Sequence, residues 1–283
     1  MGTFLIFRQR MGTFLILRRK IRNVPIFLVA VFTLAPLVPV ALWSISGEWR
    51  FPALWPQSWS LRGFRDLLGS DLFLESLAGS LWIAAAVALT SVVVALPAGM
   101  AIGRVRFRLK GLVLLIVLLP ILVPPLAATL GIHDVFIRLG LADTAAGVFL
   151  VHLIPAVPYA TLILAAAFAA LSGESESAAR TLGAGPVQTF LHVTLPQATP
   201  AIAVAALLAF LISWSQYILT VVIGGGSVIT VAMLLFSAAT GNDPVITAAL
   251  GVVFALPPFL ALLVALRLIG APARLGGPRW TPV

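Results

Sequence analysis

Residues 176–196 read ESAARTLGAGPVQTFLHVTLP, a mostly polar stretch between two long apolar segments. Good helix formers fill its first part, from Ser177 to Leu182. Gly183 can adopt the left-handed conformation that closes a helix. Pro186 suits the first position of the next helix, where its missing N–H costs nothing. The stretch therefore predicts two short helices joined by a turn.

The second of these helices carries an apolar stripe. Val187, Phe190, Leu191 and Val193 form it, and we expect Pro196 to stop the helix at the membrane. A helix pair of this size cannot bury a core of its own. We therefore expect a groove in a partner protein to cover it. A re-entrant or interfacial membrane segment is the alternative.

The composition excludes most classes of protein. The chain is 61% hydrophobic and 10% charged, whereas soluble domains carry about 25% charged residues. It has no cysteine, and its three histidines lie far apart, so neither disulfides nor a compact metal motif is available. We expect a polytopic membrane protein without a metal or other cofactor. The net charge of +9 lies at the ends of apolar segments, where membrane insertion explains it, and no nucleic-acid partner is expected.

Six segments are long enough to cross a bilayer as helices, since about 20 helical residues span about 30 Å of hydrocarbon. We predict an all-α membrane protein with six transmembrane helices. Residues 172–197 form a helix-turn-helix loop between helices four and five, and Pro120 and Pro124-Pro125 are expected to kink or shorten the third helix. Leu61 to Leu74 is interpreted as a short surface helix or an ordinary loop. The predicted spans are 24–45, 78–102, 111–131, 145–170, 198–223 and 245–269.

Three regions divide the chain in this interpretation. Residues 1–23 form a basic arm with a duplicated start, MGTFLIFRQR followed by MGTFLILRRK. Residues 24–271 form the membrane domain, and residues 272–283 form a tail. With the N-terminus inside, fourteen Lys and Arg residues lie inside and four lie outside. The positive-inside rule then places both termini and the 172–197 loop in the cytoplasm.

The sequence lacks the motifs that an energy-converting enzyme requires. It contains no G-x-x-x-x-G-K-[ST] motif that would cradle ATP phosphates, and no spacing suited to catalysis. No acidic residue lies well inside a predicted span, so ion-coupled transport is not indicated either. We expect no catalytic residue in this chain. Energy for uphill transport would have to come from another subunit.

The pattern Glu176-Ser177-Ala178-Ala179, followed by Gly183-Ala184 and Leu195-Pro196, resembles the EAA signature of ATP-binding-cassette (ABC) importer permeases. The resemblance implies a permease of the inner membrane. Its partners would be two ATPase subunits, a second similar permease and a binding protein that delivers the solute. The usual motif has its glutamate directly before the two alanines, where this chain has Ser177.

The resemblance also indicates which residues carry function. In span five, a polar and aromatic cluster is expected to line the solute path, with interhelical hydrogen bonding as the alternative. His152 and Tyr159 are weaker candidates for the same path. We expect Gly183→Asp to uncouple transport from ATP hydrolysis. The path candidates are Ser213, Trp214, Gln216 and Tyr217. The residues expected to dock on the ATPase are Glu176, Ala178, Ala179, Arg180, Gly183, Ala184, Pro186, Leu195 and Pro196.

Two questions stay open at the level of sequence. The resemblance allows a sugar or a solute of the polyamine, iron and thiamine group. The alternative function is a passive channel or structural membrane subunit without an ATPase. Residues 224–244 are interpreted as a turn, an apolar piece and a polar tip, which either dips into the membrane or meets the binding protein.

Overall fold

The computed structural model describes residue 32, residues 35–50 and residues 52–270. These residues form helices and no extended strand, which confirms the all-α prediction for this part of the chain. The arm 1–23 and the tail 272–283 lie outside the described residues. The helices are α1 (Leu37–Ser44), α2 (Arg62–Leu68), α3 (Asp71–Arg104), α4 (Lys110–Leu122), α5 (Pro125–Arg138), α6 (Ala145–Ala170), α7 (Glu174–Thr181), α8 (Pro186–Thr189), α9 (Leu195–Trp214), α10 (Ile218–Gly224), α11 (Val231–Ala239) and α12 (Pro244–Gly270).

The core is built by α3, α6 and α9, which pack against one another along most of their length. Small residues allow the close approach of α3 and α6. A Cβ atom on Gly99 would lie 2.7 Å from Leu164 Cβ, and one on Gly103 would lie 2.5 Å from the Ala165 carbonyl oxygen. These two glycines form a G-x-x-x-G motif, which brings the backbones of membrane helices together.

Four stretches of the described chain are long and apolar enough to cross a membrane: 71–104, 145–170, 186–214 and 244–268. A fifth is possible if α4 and α5 are counted together as one span, which a bend of 96° between their axes interrupts. The expected kink in predicted span 111–131 is therefore present, next to Pro124. The predicted span 24–45 lies largely outside the described residues, and its described end forms α1.

The predicted surface helix 61–74 is wrong in its extent. Gly69 and Ser70 divide this segment, and the Ser70 hydroxyl accepts a hydrogen bond from the Phe73 N–H at 3.4 Å. A serine at this position is a good N-cap, so the long helix α3 begins at Asp71 rather than at residue 78. The short helix α2 ends before the division.

Pro196 does not stop the second short helix. A π-helical turn, Phe190–Thr194, joins α8 to α9, so that residues 186–214 run on as one stretch. Proline cannot donate the backbone hydrogen bond of a regular helix. The wider turn just before it changes the hydrogen-bond register and accommodates the missing donor.

An ion pair joins α2 to the residues just before α12. Arg62 of α2 contacts the Asp243 carboxylate at 2.8 Å, and Asp243 also accepts hydrogen bonds from the Val245 and Ile246 N–H groups. Burial would raise the pKa of Asp243, but the hydrogen bond and charge of Arg62, with these N–H groups, hold it below its usual value. The polar tip 241–243 is thereby fixed to the start of α12. The apolar piece before the tip forms helix α11.

Candidate functional site

The turn between α7 and α8 depends on Gly183, whose φ angle is +92°. L side chains rarely adopt this angle, so the position favours glycine. The Ala184 N–H donates to the Ala179 carbonyl at 3.0 Å, and the Gly183 N–H donates to the Arg180 carbonyl at 2.9 Å. These two bonds form a Schellman motif. The predicted left-handed glycine is confirmed, and Pro186 begins α8 as expected.

The α7–α8 pair and the turn between the two helices expose large apolar side chains. Leu182 is 89% exposed and Val187 is 68% exposed, and Leu191 of the π turn is also exposed. Large apolar residues that stand out from a polar segment in this way mark a contact surface. Of the predicted docking residues, Ala178, Arg180, Gly183, Pro186 and Pro196 are exposed, whereas Glu176, Ala179, Ala184 and Leu195 are partly buried.

Glu176 is turned towards the helix bundle. Its Oε1 atom lies 2.7 Å from Arg104 Nη1 at the end of α3 and accepts a hydrogen bond from the Thr194 hydroxyl in the π turn. The Arg104 guanidinium lies 5.2 Å from the centre of the Phe168 ring on α6. We call this cluster of four side chains the Glu176 clip. It joins α7 to three other elements, and only 14% of the Glu176 side chain is exposed.

The charges in the clip support one another. Burial would raise the pKa of the Glu176 carboxyl, but hydrogen bonds from Thr194 and Arg104 and the charges of Arg104 and Arg180 outweigh it. The pKa of Glu176 is held below its usual value. The carboxylate is therefore ionised at neutral pH, when its ion pair with Arg104 is complete.

A second polar cluster lies inside the bundle, centred on His152 of α6. His152 is 1% exposed, with Nδ1 2.9 Å from the Ser213 hydroxyl and Nε2 3.0 Å from the Thr220 hydroxyl. Thr220 donates its own proton to the Gln216 carbonyl at 2.7 Å. It must therefore accept from Nε2–H, which leaves Nδ1 to accept from Ser213. A neutral imidazole satisfies all these groups.

His152 spans an interruption in the predicted helix 198–223. The prediction of one continuous span is wrong, because α9 ends at Trp214 and α10 begins at Ile218. The Ser215 hydroxyl lies 2.8 Å from the Leu211 carbonyl and competes for a helical acceptor. Ser213 lies just before the break and Thr220 just after it, so the His152 side chain forms a hydrogen bond on each side of the break.

The four predicted path residues do not share one environment. Ser213 and Trp214 are buried, and the Trp214 indole N–H donates to the Phe254 carbonyl at 3.0 Å. Gln216 and Tyr217 are partly exposed, and the Tyr217 ring stacks on Phe236 of α11 with 4.2 Å between centroids. The structure thus divides the candidates into two packed residues and two accessible ones.

The sequence did not identify Arg104, Thr194 or Phe236 as site residues. Arg104 lies 72 residues from Glu176, and Thr194 lies 18 residues from it, so no local motif connects them. The only signal was the position of Arg104 as the first charge after a long apolar segment.

Comparison with known proteins identifies the class. The family described as "Binding-protein-dependent transport system inner membrane component" matches residues 95–274. That is more than half of the chain, and the chain belongs to this family. The predicted resemblance to ABC importer permeases is confirmed.

Named relatives carry different solutes. The chain is 30% identical to the trehalose transport permease SugB of Mycobacterium tuberculosis over 164 residues, which cover 58% of this chain and 60% of SugB, less than two thirds of that relative. It is 27% identical to the putrescine transport permease PotI of Escherichia coli over 235 residues, which cover 80% of this chain and 83% of PotI.

A solved structure has the same fold. A bacterial ABC transporter that imports the acidic polysaccharide alginate contains a chain with a TM-score of 0.67 and 20% sequence identity. The match covers 89% of the present chain and 96% of that chain. A chain of a bacterial alginate ABC transporter in complex with an alginate pentasaccharide-bound periplasmic protein matches with a TM-score of 0.62 and 15% identity.

Proposed function

We propose that the chain is one of two permease subunits and docks on a cytoplasmic ATPase through residues 172–197. The observation that carries this proposal is the exposed apolar surface of Leu182, Val187 and Leu191, on a turn fixed by Gly183. Such a surface requires a partner groove. The partners would be two ATPase subunits, a second permease related by a pseudo-twofold axis, and a solute-binding protein on the opposite side.

Closure of the ATPase would move α7 and α8, and two connections would pass this motion to the core. The π turn continues α8 into α9 without a break. The Glu176 clip joins α7 to the end of α3. Since α3 and α9 both pack on α6, a displacement of residues 172–197 would rock the core helices as a unit. Alternating access of the solute site would follow.

The solute path would pass the helix break. Irregular backbone at membrane depth occurs only where protein buries it or where it lines a cavity. Of the predicted path residues, Gln216 and Tyr217 are the partly exposed ones at the break, and both are neutral hydrogen-bonding groups. They suit a small hydroxylated solute such as a sugar, as in the trehalose system to which SugB belongs. A polyamine, as in the putrescine system of PotI, is the second candidate.

The orientation would place both termini in the cytoplasm. Fourteen of the eighteen Lys and Arg residues lie on that side in the predicted topology. Within the described chain, the Glu176 clip lies at the end of α3, and the Arg62–Asp243 pair lies near its start. The first would face the cytoplasm and the ATPase, and the second would face the binding protein.

Site-directed crosslinking tests the docking surface. The chain has no native cysteine, so Leu182→Cys provides a unique thiol. In the assembled transporter we expect Leu182→Cys to crosslink to a cysteine in the ATPase cleft. The control is Leu61→Cys, which is 60% exposed near the opposite end of α3. Crosslinking of the ATPase at Leu61, with none at Leu182, would refute the proposed docking surface and orientation. ATP-driven uptake of labelled trehalose and putrescine into proteoliposomes tests the substrate.

A further inference from the structure

A cavity of about 370 Å³ lies where the ends of α3 and α6 meet the starts of α4 and α7. Its charged lining residues are Arg104, Arg106, Lys110 and Glu176. Three cations thus face one carboxylate, and Arg104 already pairs with that carboxylate. The cavity therefore has two positive charges in excess.

Those two charges belong to Arg106 and Lys110. Within the described part of the chain, neither side chain forms an ion pair or a hydrogen bond. Arg106 is exposed, and Lys110 is partly buried. Unpaired cations that line a partly enclosed cavity attract an anion, because low-dielectric walls focus their field. The chemistry of the lining thus specifies an anionic ligand.

The position of the cavity specifies the source of the anion. α3 and α6 are both long and apolar enough to cross a membrane, and both end at this cavity. α4 starts there with Lys110 and carries no further charge up to Leu122. Basic pockets between membrane helices at the cytoplasmic boundary bind acidic lipid headgroups. Soluble anions would not require an adjoining apolar helix.

The apolar helix offers a path for acyl chains. Leu112, Leu115 and Leu119 lie on one face of α4, and all three are exposed. They lead away from Lys110 into the membrane-spanning region. We propose that the cavity binds the headgroup phosphate of an anionic phospholipid, with Arg106 and Lys110 as ligands and the acyl chains along this face of α4.

This lipid would lie next to the Glu176 clip, since Arg104 and Glu176 line the same cavity. A phosphate held by Arg106 and Lys110 would change the electrostatic field at the neighbouring Glu176–Arg104 ion pair. The inner leaflet follows from the proposed orientation, and the effect on coupling rests on the proposed function. The binding itself depends on neither.

Native mass spectrometry of the purified permease–ATPase complex tests the binding directly. Phosphatidylglycerol is the anionic probe, and phosphatidylcholine is the neutral control. One basic residue near a surface contributes about 1 kcal/mol to anionic-lipid binding, which corresponds to about fivefold in affinity. We expect the double variant Arg106→Gln/Lys110→Gln to bind phosphatidylglycerol about 25-fold more weakly. Thermal unfolding of each variant verifies that it is folded.

Arg108 provides the matched control, because it lies between the two ligands in sequence but does not line the cavity. Arg108→Gln should leave the affinity for phosphatidylglycerol unchanged. An equal loss in Arg108→Gln would show diffuse charge attraction and overturn the proposed site, as would unchanged binding in the double variant.

Two further outcomes decide the source of the anion and the access to the cavity. Displacement of the lipid by excess inorganic phosphate would assign the cavity to a soluble anion and overturn the lipid proposal. Binding to the separate permease but not to the permease–ATPase complex would show that the ATPase covers the cavity, which also overturns it. Because uptake is not measured, failure here leaves the proposed transport function untouched.

Discussion

Two of the helix interruptions in the described residues, one at 182–185 and one at 215–217, are stabilised in opposite ways. The turn at residues 182–185 is exposed, contains a left-handed glycine and lies beside the ionised Glu176 clip. The break at residues 215–217 is tied together by the buried, neutral His152 cluster. An unpaired charge is costly in an apolar interior, whereas a paired charge at the boundary is tolerated. The extent of burial therefore determines which chemistry stabilises each interruption.

The exposed turn and the buried break also differ in their mechanical roles. The exposed turn sets the angle between α7 and α8, and backbone geometry and the clip help to constrain it. The inner break is bound on both sides by one side chain, so its geometry depends on His152. Changes at the turn should affect coupling and leave folding intact. Changes at His152 should affect folding and transport together.

The largest expected effect is that of Gly183→Asp. No atom lies within 4 Å of a Cβ atom added at this position, so the substitution strains the backbone without a steric clash. The left-handed conformation costs an L residue about 1–2 kcal/mol, and a carboxylate would enter the docking surface. We expect ATP-driven uptake to fall roughly tenfold or more, which corresponds to about 1.4 kcal/mol. Membrane insertion and ATP hydrolysis should persist.

Gly185→Asp is the control for this prediction. Gly185 lies in the same turn, but its φ angle is −70°, which any residue adopts. This variant should retain most of the uptake. Equal losses in the two variants would show that the added carboxylate, rather than the backbone angle, causes the defect. Unchanged uptake in Gly183→Asp would contradict the proposed role of the turn.

His152→Ala should have the next largest effect, on stability as well as transport. It removes two buried hydrogen bonds and leaves a cavity between α6 and the break. Interhelical hydrogen bonds in membranes contribute about 0.6 kcal/mol each, and with the cavity we expect a loss of about 1–3 kcal/mol. A lower thermal unfolding temperature in detergent would measure it. His192→Ala is the control, since His192 is exposed and, within the described residues, bonds only to the Gln188 carbonyl. Equal stability of the two variants would refute the role of His152.

The turn was predictable from the sequence, whereas the Glu176 clip beside it was not. Gly183 and Pro186 act through backbone conformations that the residue types themselves dictate. The clip joins residues 72 positions apart, and the packing of α3 on α6 through Gly99 and Gly103 brings them together. A local sequence pattern cannot predict a contact between residues so far apart in the chain.

The break at residues 215–217 could not be predicted from the sequence, for a related reason. Hydropathy averages over residues 198–223 and reports a continuous span, even though its polar residues compete for helical acceptors. The side chain that bonds both sides of the break, His152, lies 61 residues before Ser213 in the sequence.

Glu176→Gln should have a smaller effect, because glutamine keeps the shape and one acceptor. Hydrogen bonds to a charged group contribute about 1 kcal/mol more than neutral ones, so we expect about a fivefold loss of coupled uptake. Glu174→Gln is the control, since Glu174 is exposed and forms no ion pair within the described chain. Exchange of the charges, Arg104→Glu with Glu176→Arg, should restore part of the activity. A larger defect in Glu174→Gln would contradict the clip.

The pH dependence of the clip has a defined sign. Because the pKa of Glu176 is lowered on folding, its stabilisation is present above the ordinary value of 4.5 and is lost as the pH falls through the folded value. Wild type should therefore lose its stability advantage over Glu176→Gln at acidic pH, as measured by thermal unfolding across that range. An advantage that grows on acidification would contradict the assignment.

The smallest effect is expected when the acidic side chain is moved from position 176 to position 177. Ser177 stands where the usual motif has glutamate, and its hydroxyl donates only to the Gly173 carbonyl at 2.9 Å. One residue along a helix is a rotation of about 100°, so a side chain at 177 cannot reach Arg104 from the side that Glu176 uses. Ser177→Glu in the Glu176→Gln background should therefore leave uptake as low as in Glu176→Gln alone. If the acid instead acts by contacting the ATPase, the exposed glutamate at 177 would restore uptake, and the clip would be only a secondary contact.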